Sequence, residues 1–191
     1  MALSVILIIG IIVTSSVIYF NKDNSFNIGQ DESISITPTQ IRSIENIGEW
    51  EFLSISDEEL IDTVRRGFIN DDELVRIYYG TLRLGINMHE VSPKWMKVQG
   101  DSISILLPPI KLLDNDFIDE ARTRSFFESG NWTGKDREAL YLRAYNVMKE
   151  RCINEQNIKS AEQNANEQFC KLMRSMGYEN VRIRFDKTQA H

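Results

Sequence analysis

The sequence has few of the residues from which metal centres and disulfide networks are built. It contains two cysteines, Cys152 and Cys170, and two histidines, His89 and His191. Neither cysteine has a histidine or a second cysteine at the spacing of a metal-binding motif. Both lie in sequence typical of helices, and in one continuous helix they would be about 27 Å apart, far beyond the ~7 Å limit for a disulfide. We therefore expect two free thiols, no bound metal and no cofactor.

The sequence also lacks a catalytic motif such as Gly-x-Ser-x-Gly. His89 follows an amphipathic segment and precedes Glu90, but no oriented nucleophile accompanies it, so we interpret it as a solvated loop histidine. An acidic cluster further along has the oxygen ligands of a hard cation, and it consists of Asp114, Asp116, Asp119 and Glu120. The cluster lacks the glycine-centred spacing of a calcium loop, and Asp116 is explained as a helix cap. We therefore predict no catalytic and no metal-binding residue.

Basic residues are fewer than acidic residues. The 22 Lys and Arg residues stand against 28 Asp and Glu residues, which gives a net charge of -6 and a pI of about 5.1. Nucleic-acid-binding proteins present a basic surface, and a polybasic segment is the usual device for holding anionic lipid headgroups. The composition therefore argues against both kinds of binding.

Charged side chains are absent from Ala2 to Phe20, where Val, Ile and Leu dominate. As a helix, this run would be about 28 Å long, close to the ~30 Å hydrocarbon core of a bilayer. A cleaved signal peptide, the main alternative, would show a basic n-region and a small-x-small cleavage site, and neither is present. We predict a transmembrane anchor over residues 1–20, a polar linker over 21–36 and a soluble α+β domain over 37–191. The lone Lys22 slightly favours a cytoplasmic domain.

Local signals predict one helix and then strands in the first half of the soluble part. Thr37 and Gln40 form a capping box around Pro38, and Gly48 ends the helix. Over residues 56–64 we favour a strand, although Ser56 and Glu59 also fit a second capping box. Alternating apolar residues predict further strands at 74–79, 82–88, 95–98 and 103–107, with Gly80 and Gly85 as bulges or sites of close backbone approach.

The last third is predicted to be mostly helical. Asp116 is assigned as the cap of a helix that extends to Phe127, and Thr133 as the cap of the next helix. A change in the phase of the apolar stripe predicts a break near Asn154, and Gly177 ends the helical region before a strand over 181–185. The predicted fold class is α+β: a single N-terminal transmembrane helix, followed by a mainly antiparallel sheet packed with C-terminal helices and a final strand.

Four segments of the sequence occur in an order that resembles a known family. They are GTLRLGINMHEV (80–91), GDSISILLPPIKLLD (100–114), the long helix with spaced alanines, and MGYENVRIRF (176–185). Over about residues 50–185 this order resembles the bacterial membrane-anchored family known as domain of unknown function 4230. The resemblance implies the fold, an N-terminal hydrophobic segment and a cell-envelope setting, with the soluble domain on the periplasmic side of the inner membrane. It implies no activity.

Three large aromatic residues, Phe126, Phe127 and Trp132, flank the loop over residues 129–131. Aromatic residues at such a corner usually anchor it to the core, whereas exposed ones dominate the energetics of protein interfaces. We keep these three as candidate partner-binding residues.

Two functional classes remain open. The first is a membrane-anchored envelope protein that acts as a non-catalytic binding or assembly module, with an unknown protein or a second copy of the chain as its partner. The second is an envelope hydrolase that uses His89 with a nearby acid or thiol. Convergence of His89 with Glu90, Asp101 or a cysteine in a pocket would favour the enzyme.

Overall fold

A long antiparallel hairpin organises the fold. The structure, a computed structural model, describes residues 36–186, in which β1 (Glu49–Arg65) pairs with β2 (Asp72–Asn87) along its whole length. On its other side, β2 pairs with β5 (Lys111–Leu112) and β6 (Arg124–Glu128), which lie one after the other along it. Strand β2 is therefore the central strand of this large sheet, and β1 is one of its edges.

A smaller sheet has three strands, β3 (Met96–Gln99), β4 (Ser102–Leu107) and β7 (Asn180–Phe185). Strands β3 and β4 form an antiparallel hairpin around Gly100, whose φ of 62° suits glycine. Strand β7 runs parallel to β4, so the predicted, mainly antiparallel sheet contains one parallel pair. The two sheets share one cluster of buried apolar residues, and a second cluster lies under the half of the hairpin near its turn.

Three helices complete the described chain, α1 (Pro38–Glu45), α2 (Gly134–Cys152) and α3 (Glu155–Ser175), together with a single 3-10 turn (Met88–Glu90). Helix α2 packs on the hairpin half that is farther from residue 36, and the buried residues there include Leu74, Tyr78, Leu82, Leu140 and Met148. Helix α3 packs on the other half and on the small sheet, and the buried residues there include Phe52, Ile86, Ile105, Phe169 and Tyr178. Both helices therefore cover the same face of the hairpin.

Most helix and strand boundaries follow from the local signals in the sequence. The capping boxes at Thr37 and Thr133 are both present, and Asn154 caps α3 where the break was predicted. The predicted strand over residues 56–64 is confirmed as part of β1. A Cβ atom on Gly85 would lie 2.0 Å from the carbonyl oxygen of Trp50, which confirms the predicted close approach.

The predicted helix between Asp116 and Phe127 is wrong. This segment instead runs along β2, where Thr81 N–H donates to the Phe117 carbonyl and Asp119 N–H donates to the Tyr79 carbonyl, and it ends as β6. The free edge of β2 offers hydrogen bonds along its length, and this tertiary pairing overrides the local helix signals. Asp116 caps no helix, because the described chain has none between β5 and β6. Its backbone N–H donates to the Asp114 carboxylate, 2.8 Å away.

Within residues 36–186, no helix is long and apolar enough to span a membrane. The predicted anchor over residues 1–20 and nearly all of the linker over 21–36 lie outside the described residues. The described chain begins at Ile36, whose backbone N–H donates to the Tyr178 hydroxyl over 2.7 Å. Ile36 packs against the core half that contains Phe52 and Ile86, so the chain enters the domain at the end opposite the hairpin turn.

Candidate docking surface

The face of the large sheet that points away from α2 and α3 is apolar near the hairpin turn. Because side chains alternate along a strand, the register places Leu60 beside Ile77, and Phe127 beside Val75, on this face. Val64 lies on the same face, four residues after Leu60 in β1. Leu60, Val64 and Phe127 remain about half exposed. We call Leu60, Val64, Ile77 and Phe127 the outer patch, and an exposed apolar surface of this kind is a candidate interaction site.

Opposite charges flank the outer patch. Glu58 and Asp62 point outward on its β1 side, and Arg122 and Arg124 lie on its β6 side. The two guanidinium groups lie 4.7 and 5.9 Å from the ring centroid of Tyr79, which belongs to the same face. Among the described residues, none of these four charged side chains forms an ion pair. The patch is therefore acidic along one border and basic along the other.

The three aromatic residues singled out in the sequence have different environments. Phe126 is 68% exposed and Phe127 is 49% exposed, and both belong to β6. Trp132 is half-buried against the core under α2, where its indole N–H donates to the Ser129 carbonyl over 2.8 Å. The Arg65 guanidinium lies 4.5 Å above the centre of its ring. Trp132 thus fixes the corner, whereas the two phenylalanines are available for contact.

Other exposed apolar residues near this end were missed in the sequence. Phe68 and Ile69 are almost fully exposed in the hairpin turn. The turn lies beside the aromatic corner, since the Arg65 guanidinium donates to the Asn131 carbonyl over 2.9 Å. Leu60 and Val64 belong to the strand predicted over residues 56–64, but the prediction does not assign them to an exposed surface. The adjacency of Leu60 to Ile61 is a usable signal. Two consecutive apolar residues in a strand place apolar side chains on both faces of a sheet.

The edge of β1 is closed to further strands. Its outward carbonyl groups accept hydrogen bonds from helix side chains: Asn164 donates to Phe52 and Arg143 donates to Asp62, each over 2.8 Å. Arg151 donates to the Glu58 carbonyl in the same way, over 3.3 Å. Capping an edge in this manner prevents the addition of another strand. The sheet face, and not this edge, is the open surface.

The groups considered for a hydrolase are engaged elsewhere. The side chain of His89 is exposed, and no hydrogen bond or ion pair within residues 36–186 joins it to an acid or a thiol. Glu90 pairs with Lys111, and the Asp101 carboxylate accepts a hydrogen bond from Asn180 over 3.0 Å. Glu45, which lines a depression beside His89, accepts the indole N–H of Trp95 over 2.8 Å. The structure does not assemble these groups into a catalytic arrangement.

Cys152 is buried beside an ion-pair cluster under β1. The Arg151 guanidinium lies 2.8 Å from the Asp57 carboxylate and 2.6 Å from the Glu59 carboxylate. Burial, and secondly the negative charge of Asp57 at 3.5 Å, raises the pKa of the Cys152 thiol to about 11. The group therefore stays a protonated thiol at neutral pH, and a protonated thiol is a poor nucleophile. Cys170 is half-buried on α3, and both cysteines are free.

Comparison with known proteins gives one match. The family described as protein of unknown function (DUF4230) matches residues 42–183, which is well over half of the chain. Neither the curated proteins nor the solved structures contain a match. The matched range includes the large sheet, α2, α3 and all but the last two residues of β7, and therefore both borders of the outer patch. The chain is a member of the DUF4230 family.

Proposed function

We propose that this protein is a membrane-anchored, non-catalytic assembly module of the bacterial cell envelope, and that it self-associates through the outer patch. The uncharged run from Ala2 to Phe20 supports the anchor. The resemblance to a bacterial envelope family supports a periplasmic position of the domain at the inner membrane. The outer patch supports assembly as the role of the folded part.

The observation that carries the proposal is the charge distribution around the patch. A two-fold axis parallel to the strands and lying between two facing sheets would bring the β1 side of one copy over the β6 side of the other. Asp62 and Glu58 of one copy would then face Arg124 and Arg122 of its partner. Each contact would occur twice, as in every interface with two-fold symmetry. The patch is thus complementary to a second copy of itself.

The same axis suits proteins that share a membrane. A two-fold rotation about an axis along the strands leaves the strand direction unchanged, so both copies would enter at Ile36 from the same side. Two anchors in one bilayer require this arrangement. Face-to-face packing would also cover the second face of the large sheet, whose first face is covered by α2 and α3.

The experiment that tests self-association is a mass measurement of the full chain in mild detergent by size-exclusion chromatography with light scattering. We expect the wild-type chain to be a dimer. Phe127→Asp should shift it to the monomer, because a carboxylate would be buried among apolar side chains with no added partner.

Leu142→Asp is the matched control. Leu142 is 52% exposed, close to the 49% of Phe127, but it belongs to α2 on the other side of the sheet. This variant should remain a dimer. A wild-type monomer at all concentrations, or equal dissociation by both variants, would contradict self-association through the outer patch.

A further inference from the structure

The outward face of the small sheet is basic, although the chain as a whole is acidic. Lys97, Ser104 and Arg182 lie in one row across β3, β4 and β7, and Arg184 follows beside Leu106. The register and the alternation of burial place all of these side chains opposite the core. Lys94, in the turn before β3, lines the same shallow depression as Lys97 and Arg184. We call Lys94, Lys97, Arg182 and Arg184 the basic face.

The cations of the basic face form no ion pair with a carboxylate within residues 36–186. The nearby Asp101 carboxylate accepts hydrogen bonds from Ser102 and Asn180, each over 3.0 Å. Glu179 lines a second depression of the small sheet together with Arg174 and Arg182. A chain with a net charge of -6 therefore keeps four exposed cations together on and beside the outward face of the small sheet.

The backbone at Lys94 supports a role for its charge. Lys94 has a φ of 62°, a left-handed conformation that favours glycine, and it is the one non-glycine residue with positive φ within residues 36–186. This conformation costs a lysine free energy that a glycine would not lose. Such strain in a turn points to a requirement for the side chain.

We infer that the basic face binds the anionic headgroups of the bilayer in which the protein is anchored. This inference rests on the proposed membrane anchor. The proposed anchor would keep the domain close to the headgroups of one bilayer. A flat array of cations is complementary to a flat layer of phosphate groups, and each basic residue near such a layer adds to the attraction.

The test uses the full chain in phosphatidylcholine vesicles, with and without phosphatidylglycerol. Acetylation of Lys94 and Lys97 by an amine-reactive reagent is followed by mass spectrometry. We expect acetylation of both to slow by about threefold or more when phosphatidylglycerol is present, because headgroup contact shields the amines. In about 0.5 M salt the difference should disappear, since exposed charges are then screened. Lys135, an exposed lysine at the start of α2, should react equally in both vesicles.

Charge reversal separates contact by this face from a general effect of the lipid. In Arg182→Glu, the slowing at Lys94 and Lys97 should be lost, whereas in Lys135→Glu it should persist. Equal acetylation in the two kinds of vesicle, or slowing that Arg182→Glu leaves unchanged, would overturn the inference. The second result would show that the anionic lipid protects the two lysines without contact through the basic face.

Flotation distinguishes failure of this inference from failure of the anchor. An anchored chain should float with neutral phosphatidylcholine vesicles, because an apolar helix needs no headgroup charge. If it does not, the anchor is refuted, and the basic face is then tested alone by flotation with phosphatidylglycerol vesicles. Binding should there weaken by about fivefold for each basic residue removed. Absence of binding in that second assay would refute the basic face as well.

Discussion

Phe169→Ala should destabilise the folded domain by about 3–5 kcal/mol, a large share of the ~5–15 kcal/mol that typical domains have. Phe169 is fully buried on α3, where its ring stacks on Trp50 with centroids 4.9 Å apart and leans on Phe52 at 6.3 Å. Truncation would remove the aromatic contacts and leave a cavity between α3 and the start of the hairpin. The measurement is urea unfolding of the full chain in mild detergent, followed by tryptophan fluorescence.

Leu142→Ala is the control for Phe169→Ala. Leu142 is half exposed on α2, so its truncation should change the free energy of unfolding by about 0.5 kcal/mol or less. An unfolding midpoint of Phe169→Ala that equals the wild-type midpoint would show that α3 does not pack on the hairpin as described. The helix face that carries Phe169 would then be the first candidate for a partner surface.

Reversal of single charges at the border of the outer patch should separate the two copies, and reversal of both should bring them together again. Arg124→Glu would place its new carboxylate opposite the acidic β1 side of the partner copy, and Asp62→Arg would place a cation opposite the basic β6 side. Each change creates like-charge contacts twice per dimer, so we expect dissociation to increase by about tenfold or more. The double variant Arg124→Glu/Asp62→Arg restores opposite charges and should dimerise like the wild type.

The measurement is the dimer dissociation constant in detergent, at low and at high salt. The effect of each single variant should shrink at high salt, because the charges at the border of the patch are accessible to ions. Additive loss in the double variant would contradict contact between the two borders. The outer patch would then have to contact a surface other than the outer patch of a second copy of the chain.

The sequence predicts the fold well where the cause is local. Capping boxes at Thr37 and Thr133, a positive φ at Gly48 and Gly177, and alternation in the strands all depend on a few neighbouring residues, and all are present. The segment from Asp116 to Phe127 was misjudged because its structure depends on the distant edge of β2. Nothing within the segment itself records that its hydrogen-bond partners come from a strand 36 to 54 residues earlier, from Thr81–Phe117 at one end to Leu74–Glu128 at the other.

The candidate surface was only partly visible in the sequence for the same reason. Phe126 and Phe127 stood out as adjacent aromatics, but their exposure follows from the pairing of β6 with β2. Leu60 and Val64 join them only through the register of the hairpin. The basic face could not be predicted from the composition, because a net charge of -6 gives no information about how the charges are distributed between the two sheets.

The central claim, a dimer formed face to face through the outer patch, is tested most directly by cross-linking in intact membranes. Ile77 lies on the central strand within the patch, so two copies of Ile77→Cys should face each other across about 10 Å, the usual spacing of packed sheets. In a Cys170→Ser background, a short bismaleimide should convert Ile77→Cys into a covalent dimer, and Leu142→Cys should remain monomeric under the same treatment. Failure of Ile77→Cys to cross-link, at a cysteine shown to react with a monofunctional maleimide, would contradict the proposed dimer.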